Sequence, residues 1–314
     1  MSHVKFGIRV PSFPIDGSGS SKFILQIINY LRDLETQYDS AWISDHFVPW
    51  ADFVSKKISI LECFTALSYL SAVFDKLDFG SIVLCNSYRE PSLVAKMSAT
   101  LSALTGGRYI LGIGAGWMKE DYIEYGYKFS SAAIRIKQLE EGVQIIKRMW
   151  AEDDVTFLGK YFTVKNAYCN PKPDPPPPIL IGGEGEKLLL RVVARYADWW
   201  DCSNADIKTY SHKFDVLRQH CNKVYRNPNK ILQTTSNRVA IAETNKEALK
   251  MAKESPFIEK ENMGSYFIGN PQKIKETIGA FINNGVEHFI LRFIDFPRLD
   301  GARLFAEEVI PEFT

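Results

Sequence analysis

An acid followed by a histidine, Asp45-His46, is the sharpest polar pair in this chain of 314 residues. It closes a short apolar run. An imidazole takes or gives a proton near neutral pH, and an adjacent carboxylate can orient it or stabilise its charged form. The plainer alternative is a turn cap beside a satisfied structural histidine. Two glycine clusters follow similar runs. Gly112-Ile-Gly114-Ala-Gly116-Trp117 leaves a backbone that a flat ligand can approach closely, or alternatively allows tight strand-to-helix packing. It lacks the sixth-position glycine of a dinucleotide fingerprint, which disfavours an open-sheet nicotinamide enzyme. Gly182-Gly183-Glu184-Gly185 can aim backbone N–H groups at a phosphate, and its three glycines exceed what a turn requires.

Other chemistries find less support. The HExxH spacing is absent, and His212 and His220 stand eight residues apart on a polar helix. No cluster of carboxylates and histidines suggests a divalent metal, so no metal site is expected. No lysine is placed at a strand end for a Schiff base. Arg135 with Glu140 and Glu141 reads as a helix-surface ion pair, and Trp199-Trp200 as core.

The elements that must position these groups alternate along the whole chain. Strands are predicted at Val4–Val10, Ser40–Asp45, Leu77–Asn86, Arg108–Gly114, Ile179–Ile181, Asp198–Cys202, Arg238–Ala242 and His288–Ile294. Amphipathic helices follow at Lys22–Tyr38, Ile60–Val73, Ser92–Leu104, Ala132–Trp150, Lys187–Tyr196, Ile207–Tyr225, Lys246–Lys253 with Pro271–Asn284, and Leu299–Val309. Eight such units predict an α/β fold, a (β/α)8 TIM barrel spanning 1–314 as one domain. An insertion at 151–178 separates the fourth helix from the fifth strand: a hairpin around Leu158-Gly159-Lys160, then a proline-rich connector ending at Pro178. Chemistry in a barrel sits after the C-terminal ends of the strands, where the pair and both glycine clusters fall.

Composition excludes several classes. There are 38 basic and 37 acidic side chains, a net charge of +1, with 46% hydrophobic residues. That balance disfavours a nucleic-acid binder. No apolar run is long enough to cross a membrane. Five scattered cysteines without a C-x-x-C pair, and no recognisable signal peptide, point to a reducing cytoplasm.

The order of these motifs resembles the bacterial luciferase-like superfamily of flavin and deazaflavin oxidoreductases. The likeness covers nearly the whole chain. It is strongest from Arg89-Glu-Pro-Ser to Gly112-Ile-Gly-Ala-Gly-Trp117, and from Pro171 through Ile179-Leu-Ile-Gly-Gly-Glu-Gly185 to Asp198. The Gly-Ala-Gly-Trp form and the prolines before Ile-Gly-Gly most resemble members that use coenzyme F420. The resemblance implies a barrel with the cofactor over its mouth and a cis peptide at about Ile82–Val83 backing the ring. It implies cofactor contacts at Ile82, Val83, Cys85, Asn86, Gly114, Gly116, Trp117 and Glu184, and phosphate contacts at Gly182, Gly183, Gly185 and Ser203. His46 with Asp45 would be the catalytic pair. A small-molecule substrate and a homodimer are expected.

One departure matters. Sugar-phosphate dehydrogenases of the superfamily carry a glutamate directly after the glycine motif, where this chain has Trp117. An indole shuttles no proton but excludes water and stacks on a ring. A reductase or other hydride transfer to an apolar, cyclic or unsaturated substrate is therefore favoured. The alternatives are an FMN-dependent monooxygenase using reduced flavin and O₂, and a catalytically idle flavin-binding member.

Overall fold

Eight parallel strands close into a barrel in this computed structural model, which describes residues 4–14, 16–51 and 53–314. In chain order the strands are Lys5–Arg9 (β1), Ser40–Ile43 (β2), Asp78–Ser81 (β3), Leu84–Cys85 (β4), Tyr109–Gly114 (β5), Val155–Leu158 (β6), Thr163–Ala167 (β7), Ile179–Gly182 (β8), Trp199–Asp201 (β9), Leu232–Ile241 (β10), Phe267–Gly269 (β11) and Val286–Phe293 (β12). The ring runs β1-β2-β3-β5-β8-β9-β10-β12 and returns to β1. Short β4 continues β3 beside β5, and β11 lies on the outer edge of β10. Strands β6 and β7 form the antiparallel hairpin of the expected insertion.

The helices are Ser20–Leu34 (α1), Cys63–Val73 (α2), Pro91–Thr105 (α3), Lys119–Glu124 (α4), Ala132–Ala151 (α5), Leu189–Tyr196 (α6), Ile207–Lys223 (α7), Asn245–Glu254 (α8), Pro271–Asn283 (α9) and Asp300–Glu308 (α10). Local chemistry sets their ends. Pro91 and Pro271 open α3 and α9, where a missing N–H costs nothing. Gly106 closes α3 in the left-handed region at φ 64°. Helix α1 buries Phe23, Ile27, Ile28, Leu31 and Leu34 at helical spacing. The main core fills the shell between helices and barrel, and a smaller cluster of Trp42, Ile82, Ile110, Leu180 and Ile290 plugs the barrel interior.

Two strands differ from the reading of the sequence. The predicted Leu77–Asn86 strand breaks at Ile82–Val83, whose peptide bond is cis, leaving β3 and β4. The seventh barrel strand starts at Leu232 rather than Arg238. Its Gln233, Thr234, Thr235, Ser236 and Asn237 are all buried; Thr234 and Ser236 serve the carboxylate of Asp201, and Thr235 donates to the Cys202 carbonyl. The seventh unit also carries β11 between its two helices, and α4 is an addition in the loop after β5.

Candidate active site at the barrel mouth

A cavity of about 800 Å³ opens at the C-terminal ends of the strands. A second, of about 810 Å³, lies at the opposite end between Trp150, Trp199 and the prolines of the connector. The mouth is the better candidate, since titratable groups and glycines converge there.

His46 follows β2 and lines the cavity. Its Nδ1 lies 2.7 Å from Asp121 Oδ2 on α4, leaving Nε2 as the ring nitrogen without a partner among the described residues. Asp121 is fully buried, and its Oδ1 accepts from the N–H groups of Phe47 at 2.8 Å and Val48 at 3.0 Å. Burial pushes its pKa up, but the His46 contact and the two N–H donors outweigh that and hold it below the usual carboxylate range. The carboxylate thus fixes both the ring and the loop that carries it. The Trp117 indole meets the other side edge-on, at 5.6 Å between centroids.

Asp45 does not pair with His46. It is chelated by Arg89, with Nη1–Oδ2 2.8 Å and Nη2–Oδ1 2.9 Å, and accepts from the Cys85 N–H at 2.9 Å. Arg89 also reaches Glu62, which caps α2. The pair is a clamp that ties the β2 loop to β4. The Cys85 thiol lies 3.1 Å from the Tyr122 hydroxyl, and burial pushes it up to about 11.

Beyond the cis bond, the Val83 side chain stands against two glycines. A Cβ on Gly114 would lie 2.7 Å from Val83 Cγ2, and one on Gly182 2.9 Å from Val83 Cγ1. The result is a ridge with a bare backbone on either side. Gly116 has φ 72°, and Gly183 has φ 130°. The Gly183 carbonyl accepts from Trp200 Nε1 at 2.8 Å, and its N–H donates to the Asp201 carbonyl at 3.0 Å. Ser203 bridges Asp201 Oδ2 and Ser236 Oγ, each at 2.7 Å. Asp201 is fully buried, and desolvation raises its pKa despite three hydroxyl donors.

Of the expected residues, Asp45, His46, Ile82, Val83, Cys85, Gly114, Gly116, Trp117, Gly182, Gly183, Gly185 and Ser203 line this one cavity. Two are placed elsewhere. Asn86 is buried against Gly142 of α5, and Glu184 is exposed outside the cavity lining. Asp121 was missed. Arg135, read as a surface ion-pair residue, is buried at the cavity wall and donates from Nε to the Gly116 carbonyl at 3.2 Å. Arg9, Trp50 and Arg238 also line the mouth unanticipated. A charged residue inside an apolar strand run was the available signal for Arg9; Arg238 follows the polar stretch 233–237 and carried none.

A sequence profile of luciferase-like monooxygenases matches residues 5–288. Among curated relatives, an F420-dependent glucose-6-phosphate dehydrogenase of Kineococcus radiotolerans is 34% identical over 173 residues, 54% of this chain and 49% of that one. The chain thus covers about half the length of that relative. One of the same name from Microbacterium testaceum is 26% identical over 308 residues, covering 88% and 89%. Among solved structures, an F420-dependent secondary alcohol dehydrogenase in complex with an F420-acetone adduct superimposes with a TM-score of 0.82 at 18% identity, covering 99% and 98%. At that identity the likeness shows the fold.

Proposed function

The chain belongs to the luciferase-like monooxygenase family, and within it we propose a coenzyme F420-dependent oxidoreductase that moves a hydride between the deazaflavin C5 and a small organic substrate. The observation that carries this reading is the convergence in one cavity of the Val83 ridge, flanked by Gly114 and Gly182, and the His46–Asp121 pair. The curated relatives that carry F420 in their names support the choice of coenzyme.

The residues present fit a flat tricyclic ring. A Cβ at Gly114 or Gly182 would collide with Val83, so the two glycines let the Val83 side chain seat between them as an apolar ridge in the cavity lining, against which a ring would lie. When bound, the deazaflavin supplies a two-electron hydride donor or acceptor. The chain supplies everything else. Gly185 offers its backbone N–H to the phosphate end, while Gly183 and Ser203, whose N–H and hydroxyl donate to Asp201, hold the loop around it. His46 holds or moves a proton at Nε2, while Asp121 fixes the ring and stabilises its charged form. Trp117, 64% exposed at the rim, covers the reacting edge and excludes water.

Fluorescence titration of the purified protein with F420 and with FMN tests this reading. Micromolar F420 binding is expected. FMN binding with no detectable F420 binding would replace it with a reduced-flavin monooxygenase.

A further inference from the structure

Three arginines stand side by side in the barrel wall. Arg238 on β10 is the register partner of Arg292 on β12. The next strand pairs Ile8 with Leu291, which puts Arg9 on the same row. Side chains that share a row of parallel strands project to the same face, and Arg9 and Arg238 both line the mouth cavity. The Arg292 guanidinium lies 5.1 Å from the Trp50 ring and 4.4 Å from that of Phe257. Both rings also wall the cavity. Arg238 sits 5.5 Å from the same Trp50 ring and donates to Tyr266 Oη at 2.9 Å. Like charges in adjacent positions of a sheet repel, and buried charges require partners.

Those partners are scarce. Asp201 is the carboxylate near Arg9, but its oxygens accept from the hydroxyls of Ser203, Thr234 and Ser236. Arg9 itself donates to Ser44 Oγ, at 2.7 Å from Nη2. Arg292 is 6% exposed, and its guanidinium makes no hydrogen bond or ion pair among the described residues. Asp45 is taken by Arg89, and Glu259 stands exposed on the rim. Burial, then Arg238, pulls the Arg9 guanidinium down to about 10, and burial with both other arginines drives Arg292 well below its ordinary value.

Position around the ring gives the row a direction. In the closed order β12 stands opposite β5, so the arginines face the Val83 ridge across the mouth. His46, at the end of β2, lies between them on one side. We propose that the row is the subsite for an oxyanion of the substrate, a carboxylate or a phosphate, gripped by the guanidinium groups of Arg9 and Arg238 in the cavity lining and drawn by the added charge of Arg292, which is buried outside that lining against Trp50 and Phe257. A substrate anchored there would turn its reacting carbon toward the glycine ridge with His46 alongside. This assignment rests on reading the mouth as the hydride-transfer site. A guanidinium carries its N–H donors in a rigid planar fork, which suits bidentate oxyanion recognition.

Calorimetric titration of the full-length protein at constant ionic strength tests the subsite with sodium benzoate, inorganic phosphate and the neutral benzyl alcohol. At least one anion should bind and benzyl alcohol should not; benzoate alone marks a carboxylate site, phosphate alone a phosphate site. Arg238→Gln and Arg292→Met should each weaken anion binding at least tenfold, with F420 affinity unchanged within twofold. Each removes a repelled charge, so their melting temperatures in anion-free buffer should hold or rise. Equal binding of benzyl alcohol and the anions would overturn the proposal. So would variants that melt lower yet keep anion affinity, which would make the row a structural scaffold. Anion binding without F420 binding would sink the coenzyme reading and leave the subsite standing.

Discussion

His288 lies on the barrel floor with no exposed surface, between Trp42 at 5.7 Å and Trp199 at 5.4 Å. Its Nε2 is 2.8 Å from Ser40 Oγ, a hydroxyl that also accepts from Trp42 Nε1 at 2.8 Å. Nδ1 has no partner among the described residues. A protonated ring would need acceptors for two N–H groups and would lose its hydration. Burial first, then Lys5, therefore depresses the pKa from 6.5 to about 3. Below pH 6.5 the unfolded chain takes up a proton that the native state refuses until about pH 3. The stability linked to this residue is thus complete above the unfolded value and lost as the pH falls through that window. One pKa unit corresponds to 1.36 kcal/mol, so the loss at pH 5 is about 2 kcal/mol. His288→Gln abolishes the titration. Urea unfolding of both proteins, at about pH 7 and about pH 5, should show the variant losing about 2 kcal/mol less between the two conditions. Equal losses would refute the reasoning, and so would an NMR titration placing the His288 imidazole near its unfolded value.

His46→Ala should slow hydride transfer from bound coenzyme by about 10²–10⁴, and Asp121→Asn by about 10–10², the worth of a hydrogen bond to a charged group. Single-turnover kinetics measure both, and a full rate in either variant removes that residue from the mechanism. Gly185→Val should fold normally, since its Cβ would sit at an ordinary 3.4 Å from Leu189 Cβ. Coenzyme affinity should nonetheless fall, because the added side chain blocks the loop; a drop in melting temperature with affinity intact would show a structural role instead. The Cys85 thiol, pushed up to about 11 by burial, should react with iodoacetamide at about pH 8 far more slowly in the native than in the unfolded protein. Mass spectrometry of the labelled peptide reads the outcome, and equal rates would contradict its burial.

The fold was legible where apolar periodicity carried it. Helix α1 and the runs of β1, β5 and β8 announce themselves through residues that face the shell between barrel and helices. Strand β10 did not. Its first half is Leu232-Gln-Thr-Thr-Ser-Asn237, a sequence that reads as a loop because a strand is ordinarily recognised by what it buries in oil. Here the burial partner is polar: Thr234 and Ser236 donate to Asp201 at 2.9 Å and 2.8 Å. A strand that satisfies a buried carboxylate looks hydrophilic until that carboxylate is known. The break at Ile82–Val83 was expected from the family resemblance and left no mark in the hydropathy pattern.

The site divides along similar lines. Glycines that must leave room for a neighbour, as Gly114 and Gly182 do for Val83, are visible because the requirement acts on residue type. Pairing is not. Asp45 and His46 looked like partners because they are adjacent, yet successive residues leaving a strand project to opposite sides. Each found its partner in the tertiary structure: Arg89, 44 residues away, and Asp121, 75 residues away. The same holds for charge. A net charge of +1 describes an average over the surface, whereas the field inside the mouth is set by which side chains share a row. Arg9, Arg238 and Arg292 come from opposite ends of the chain, and barrel closure through the β12–β1 pairing sets them side by side. Closure thus concentrates three positive charges at one wall of a near-neutral molecule. An anionic substrate would meet that field only after entering the mouth, so the subsite acts on orientation more than on long-range capture.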